Sequence, residues 1–165
     1  MHKSFLYSGL LAALAVVNVQ AASLEVNGSG LVQNLSCTGQ DVSIGGNDNQ
    51  IRLSGQCGAV LVQGWDLQVT LDKAHSLRVN GVNIQVRVER TDSLSVDGSS
   101  NQIRATLSGG EPPSVASVAG AEHLLDLHFN GPARVELGGM DHRLDWHGHE
   151  PVIEASGVRH QIDRW

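Results

Sequence analysis

The sequence predicts an all-β fold: a short single-stranded parallel β-helix (β-solenoid) of about eight coils of roughly 18 residues. Three observations carry this expectation. Glycines recur at Gly28, Gly46, Gly64, Gly81, Gly98, Gly120, Gly139 and Gly157, in steps of 18, 18, 17, 17, 22, 19 and 18 residues. Apolar pairs sit four and two residues before each glycine and return five and seven residues after it. The first and last copies are degenerate, as the ends of a stacked array are.

The chain begins with a segment of a different kind. His2 and Lys3 give a positive start, and Phe5 to Val17 is apolar apart from Ser8 and Gly9. Val19 and Ala21 stand at the −3 and −1 positions of a cut after Ala21, so residues 1–21 read as a signal peptide and 22–165 as the solenoid domain. The apolar run is too short to cross about 30 Å of hydrocarbon comfortably. No later segment is apolar enough to do so, which leaves no membrane span after cleavage. A periplasmic or secreted location is expected.

From there the repeat runs in phase. Val42 and Ile44, Val60 and Val62, Leu77 and Val79, and Leu94 and Val96 precede their glycines. Ile51 and Leu53, Val69 and Leu71, Val86 and Val88, and Leu144 and Trp146 follow them. Alternation of period two on both sides of a glycine describes two short strands joined by a bend. One such unit cannot bury its apolar edge alone, and stacking copies at about 4.8 Å builds a continuous core from identical positions. Gln33 and Arg164 stand where the first and last copies should be apolar.

Three residues after the glycine a polar column appears: Asn49, Asn101, His123, His142 and His160, interrupted by Leu67 and Ile84. Asparagine after a bend tolerates left-handed backbone, and stacked amides can bond one another up the rod. Histidines here are expected to satisfy backbone groups. A 22-residue step holds Ser108-Gly109-Gly110-Glu111-Pro112-Pro113, an insertion loop expected near 108–115.

Cys37 and Cys57 are the only cysteines, and in an oxidising compartment a disulfide is expected. They lie nine and seven residues before their glycines on adjoining coils. Coil spacing suits the 4.4–6.8 Å Cα separation of a bridge, provided the turn absorbs the two-residue offset.

Composition excludes some functions. Losing Lys3 takes the net charge from −6 to −7, which disfavours nucleic acid and anionic membranes. Only Trp65, Phe129, Trp146 and Trp165 remain as aromatics in the mature chain, few for a platform that stacks bases or sugars.

The run from Cys37-Thr38-Gly39 to Val88 resembles the bacterial exported proteins grouped as domain of unknown function 3060. The likeness rests on Gly45-Gly46-Asn47-Asp48-Asn49-Gln50-Ile51, on Cys57, and on Gly98-Ser99-Ser100-Asn101-Gln102-Ile103. It covers roughly the first two-thirds of the mature chain. Beyond Gly120 the asparagines become histidines. The resemblance implies a β-solenoid in the cell envelope with no assigned activity, and it transfers no catalytic residue.

Six residues after the glycine, an outward column reads Arg52, Thr70, Arg87 and Arg104, then Asp126, Asp145 and Asp163. Eight after, it ends in His128, His147 and Trp165. Asp126, His128, Asp145 and His147, with His149 and Asp163 nearby, form an oxygen and imidazole grid suited to zinc or another divalent transition metal. The plainer expectation is a solvated face whose aspartates and histidines pair, with no cofactor. No nucleophile elbow or phosphate loop appears, so no catalysis is expected. The expected function is structural, adhesive or protein-interacting. The partner would be an envelope or cell-surface protein, or a second copy meeting at the coil ends. Two alternatives stand beside it: a metal- or small-ligand-binding module on the Asp/His face, and a curlin-like functional-amyloid subunit.

Overall fold

The computed structural model describes residues 23–165, and the expected signal peptide lies outside them. Their regular elements are all strands: β1 (Leu24–Ser29), β2 (Val32–Thr38), β3 (Val42–Asn47), β4 (Gln50–Trp65), β5 (Gln68–Val82), β6 (Gln85–Ser99), β7 (Gln102–Leu107), β8 (Ser114–Val118), β9 (Leu124–Phe129), β10 (Ala133–Leu137), β11 (Arg143–Gly148), β12 (Val152–Ala155) and β13 (Gln161–Arg164). Every pairing between them is parallel. The chain is a β-solenoid of about eight coils.

Two stacks run the length of the rod. The first joins β1, β3, the second halves of β4, β5 and β6, then β8, β10 and β12. The second joins β2, the first halves of β4, β5 and β6, then β7, β9, β11 and β13. Register follows the repeat. Ile44 lies opposite Val62, Val62 opposite Val79 and Val79 opposite Val96 in one stack. In the other, Ile103 lies opposite Leu125 and Leu125 opposite Leu144. All are buried, with Ile44, Val62, Val79 and Leu144 at 0 % exposure. Each such aliphatic side chain contributes roughly 1.5–3 kcal/mol by leaving water.

The glycines stack where the two sheets meet. A Cβ on Gly64, Gly81, Gly98, Gly120, Gly139 or Gly157 would run into the carbonyl oxygen of the glycine one coil earlier. The left-handed residue of this corner is the second after the glycine, not the third as the asparagines suggest. Asp48, Asp66, Asn83, Ser100, Glu122, Asp141 and Arg159 have φ between +54° and +59°. That turn directs the third residue inward, and Asn49, Asn101, His123 and His142 are accordingly buried at 0–1 % exposure.

Cys37 and Cys57 form a disulfide with Cα atoms 4.8 Å apart. Gly55 absorbs their offset: it lies opposite Cys37, takes φ +86°, and sits where the β4–β5 register slips. After β7 the chain leaves the strands over residues 108–113. There Gly109 packs on the backbone of Gly131 and Pro132.

Candidate functional site

The polar column inside the corner is built from one hydrogen-bond pattern. The backbone N–H of Leu31 donates to Asn49 Oδ1 (2.8 Å), while Asn49 Nδ2 donates to the carbonyls of Gly28 (2.9 Å) and Gly45 (3.1 Å). Asn101 repeats it, accepting from Ile84 N–H (2.9 Å) and donating to Gly81 (3.0 Å) and Asp97 (3.2 Å) carbonyls. Neither amide bonds another amide, because the apolar Leu67 and Ile84 separate them in the column. Both instead tie one coil to the backbone of the coil before.

The histidines take over the same two duties. Asn101 N–H donates to His123 Nδ1 (3.2 Å) and His123 N–H to His142 Nδ1 (3.3 Å). The Nε2 atoms of His123, His142 and His160 meet the carbonyls of Ala119 (2.8 Å), Gly138 (2.7 Å) and Ser156 (2.9 Å). The rings stack, with centroids 4.9 and 5.0 Å apart and planes within 5° and 8°. An Nδ1 that accepts a backbone N–H carries no proton, so His123 and His142 are neutral with hydrogen on Nε2.

Burial, opposed by the Ala119 carbonyl and reinforced by His142, holds the His123 pKa below its ordinary 6.5. Burial likewise lowers that of His142, with the His160 imidazole adding to it. A folded-state pKa below the unfolded one means the unfolded chain binds more protons in between. Stability is therefore complete above about pH 6.5 and is lost as pH falls below the unfolded value. The melting temperature should be level from pH 8 to 7 and fall by several degrees toward pH 5. A His123→Asn/His142→Asn variant, carrying the amide that the early coils use, should stay level. Parallel decline in both proteins would place the acid sensitivity elsewhere.

Outside the corner, the aspartate and histidine columns are segregated. Asp126 Oδ2 accepts from Arg104 Nε at 2.7 Å. Asp145 accepts from Arg143 Nε and Nη2 at 2.9 and 3.2 Å, and Asp163 lies 3.8 Å from the same guanidinium. His128 and His147 instead face one another, ring centroids 4.3 Å apart, and Trp165 follows at 4.9 Å. Their Nδ1 atoms are buried without a hydrogen-bond partner. His149 is exposed, with Nδ1 3.2 Å from the Glu150 carbonyl. Among the described residues no group of three or more His, Cys, Asp or Glu is arranged to hold a metal ion. The arginines relieve the repulsion that stacked aspartates would otherwise pass to a cation.

A shallow groove of about 840 Å³ runs along this face between two outward columns. One wall is the column four residues after the glycine, Gln68, Gln85 and Gln102; the other holds Arg87, Arg104 and Asp126. The glutamine wall was legible as a column in phase with the glycines, with Arg143 further along it, but its uncharged members draw less notice than the charged columns beside them. Trp165 lines one end.

Residues 44–101 match a family described as a protein of unknown function (DUF3060), the one whose glycine–asparagine units this chain resembles. The span runs from β3 to Asn101 and takes in Asn49 and Cys57; it stops short of the histidine coils. No curated protein and no solved structure matches the chain.

Proposed function

We propose that this chain, whose residues 44–101 carry the DUF3060 repeats, is an exported, non-catalytic β-solenoid of the cell envelope that acts by association. The apolar N-terminal segment and the Cys37–Cys57 bridge support an oxidising, extracytoplasmic compartment. The groove between the glutamine and arginine columns carries the reading. It is long, shallow and lined by repeating amide and guanidinium groups, a surface for an extended partner rather than a pocket around a reacting atom. Its charged groups pair with each other, Arg104 with Asp126 and Arg143 with Asp145, and exposed pairs of this kind contribute at most about 1 kcal/mol each. Arg87 makes no ion pair among the described residues and is free to meet a ligand.

Mature protein is expected to bind washed bacterial envelopes saturably. A Gln85→Ala/Arg87→Ala/Gln102→Ala variant should bind about tenfold more weakly or worse, equivalent to 1.4 kcal/mol. Undiminished binding would move the contact off the groove, and no binding would sink the adhesive role.

A second reading, a zinc or other divalent transition-metal site, is favoured by the two facing imidazoles of His128 and His147 with unpartnered Nδ1 atoms. Asp126, Asp145 and Asp163 would serve as outer partners, and His149 would need to turn toward the pair. Zinc titration of the same preparation decides: stoichiometric uptake abolished by His128→Ala/His147→Ala supports the site. No uptake and no rise in melting temperature removes it.

A further inference from the structure

The residue directly after each glycine has no part in the core, which is filled from the inward positions on either side. Yet from the third coil onward this column is apolar at most positions. Trp65 lies opposite Val82, Val82 opposite Ser99, and the row continues through Ala121, Met140 and Val158 by parallel bridges. Trp65 is 56 % exposed, Val82 48 %, Met140 46 % and Val158 51 %. Isolated exposed apolar residues are ordinary, but an in-phase row is not. Five coil steps at about 4.8 Å make it about 24 Å long. The fold does not demand it, since Ser29, Asn47 and Ser99 occupy the same column elsewhere.

The column beyond the row is predominantly acidic, and the column before the glycines is otherwise uncharged with one acid. Asp48, Asp66, Glu122 and Asp141 take the left-handed corner position, and Asp97 precedes its glycine. The single base in these two columns among the described residues is Arg159, and it is bound to Asp141 through both Nε and Nη2. We infer that this corner is a docking ridge for a basic amphipathic helix of a partner protein, whose apolar stripe lies along the Trp65–Val158 row with lysines and arginines along the edge that holds Asp66, Glu122 and Asp141. Charge selects this occupant. A second copy of the same ridge would set acid against acid, and an anionic membrane would meet the same repulsion. Geometry agrees with it too: a helix rises 5.4 Å per turn, close to the coil spacing, so its i, i+3 or i+4 and i+7 positions can follow successive coils. Trp65 and Met140 are the anchors of this contact. The ridge occupies a different column of the repeat from the groove, so it stands or falls separately.

The test uses mature protein and two synthetic amphipathic peptides with one apolar pattern, one Leu/Lys and one Leu/Glu, followed by calorimetry and tryptophan fluorescence. The Leu/Lys peptide should bind and the Leu/Glu peptide should not. Trp65→Ser/Val82→Ser/Met140→Ser should weaken binding about tenfold or more while leaving melting unchanged, since serine already serves at position 99. Asp66→Asn/Glu122→Gln, which leaves the apolar row intact, should weaken it and flatten its salt dependence. No binding, equal binding of both peptides, or full binding by the serine variant would overturn the proposal. Preference for neutral phosphatidylcholine vesicles over the Leu/Lys peptide would overturn it in favour of a lipid surface.

Discussion

Gly98→Ala is expected to lower stability by about 4 kcal/mol and the melting temperature by about 10 °C or more. Two costs combine. Gly98 has φ +109°, a conformation that L side chains rarely adopt, and holding another residue there costs about 1–3 kcal/mol. The new Cβ would also collide with the Gly81 carbonyl oxygen, which is backbone and cannot swing aside. Relief would require opening the spacing between two coils, which breaks the ladder on both sides of the corner. Gly110→Ala is the control. Its Cβ would meet open space, and the change should stay within about 0.5 kcal/mol. Similar melting of the two variants would show that the glycine column is incidental to the stack.

That column is also why so much of the fold could be foreseen. Stacking identical coils makes one linear period decide the register of every strand. Knowing that Gly46 and Gly64 are equivalent is enough to set Ile44 opposite Val62. The 22-residue step likewise brackets residues 108–113, which lie outside the strands. The corner backbone was less legible. Asn49 and Asn101 suggest left-handed geometry by their type, but Glu122 and Arg159 adopt it and those two asparagines do not. An interior hydrogen bond to the coil before outweighs their preference, and that bond joins residues 18 or more apart in sequence.

The Asp/His grid shows a second kind of limit. Sequence spacing places Asp145 and His147 on one face, as found, but it says nothing of where Arg143 and Arg104 direct their guanidinium groups. Those long side chains reach the aspartates and leave the imidazoles in tilted contact with each other. The apolar row at Trp65 and Met140 was visible in the repeat itself. It is overlooked when apolar residues are assigned to the core by default.

Opening the Cys37–Cys57 bridge should cost about 3 kcal/mol, the chain-entropy value for a loop of about 20 residues. The loss should fall on the N-terminal coil. β1 and β2 have neighbours on one side only among the described residues. The inward positions of this coil include the polar Gln33 and the half-buried Leu31 and Leu35, whereas Leu53 and Leu71 in the next coils are fully buried. The coil thus has less apolar burial to hold it, and the bridge offsets that deficit by tying β2 to β4. In a Cys37→Ser/Cys57→Ser variant, amide exchange across residues 24–38 should speed up by about a hundredfold, two factors of ten for about 3 kcal/mol. Exchange in β9 and β11 should hardly change, because an array held by neighbour contacts frays from its end. Uniform acceleration along the rod would instead mean that the coils open as one cooperative unit. No acceleration anywhere would mean that the Asn49 bonds to Leu31 and Gly28 hold the first coil without the disulfide.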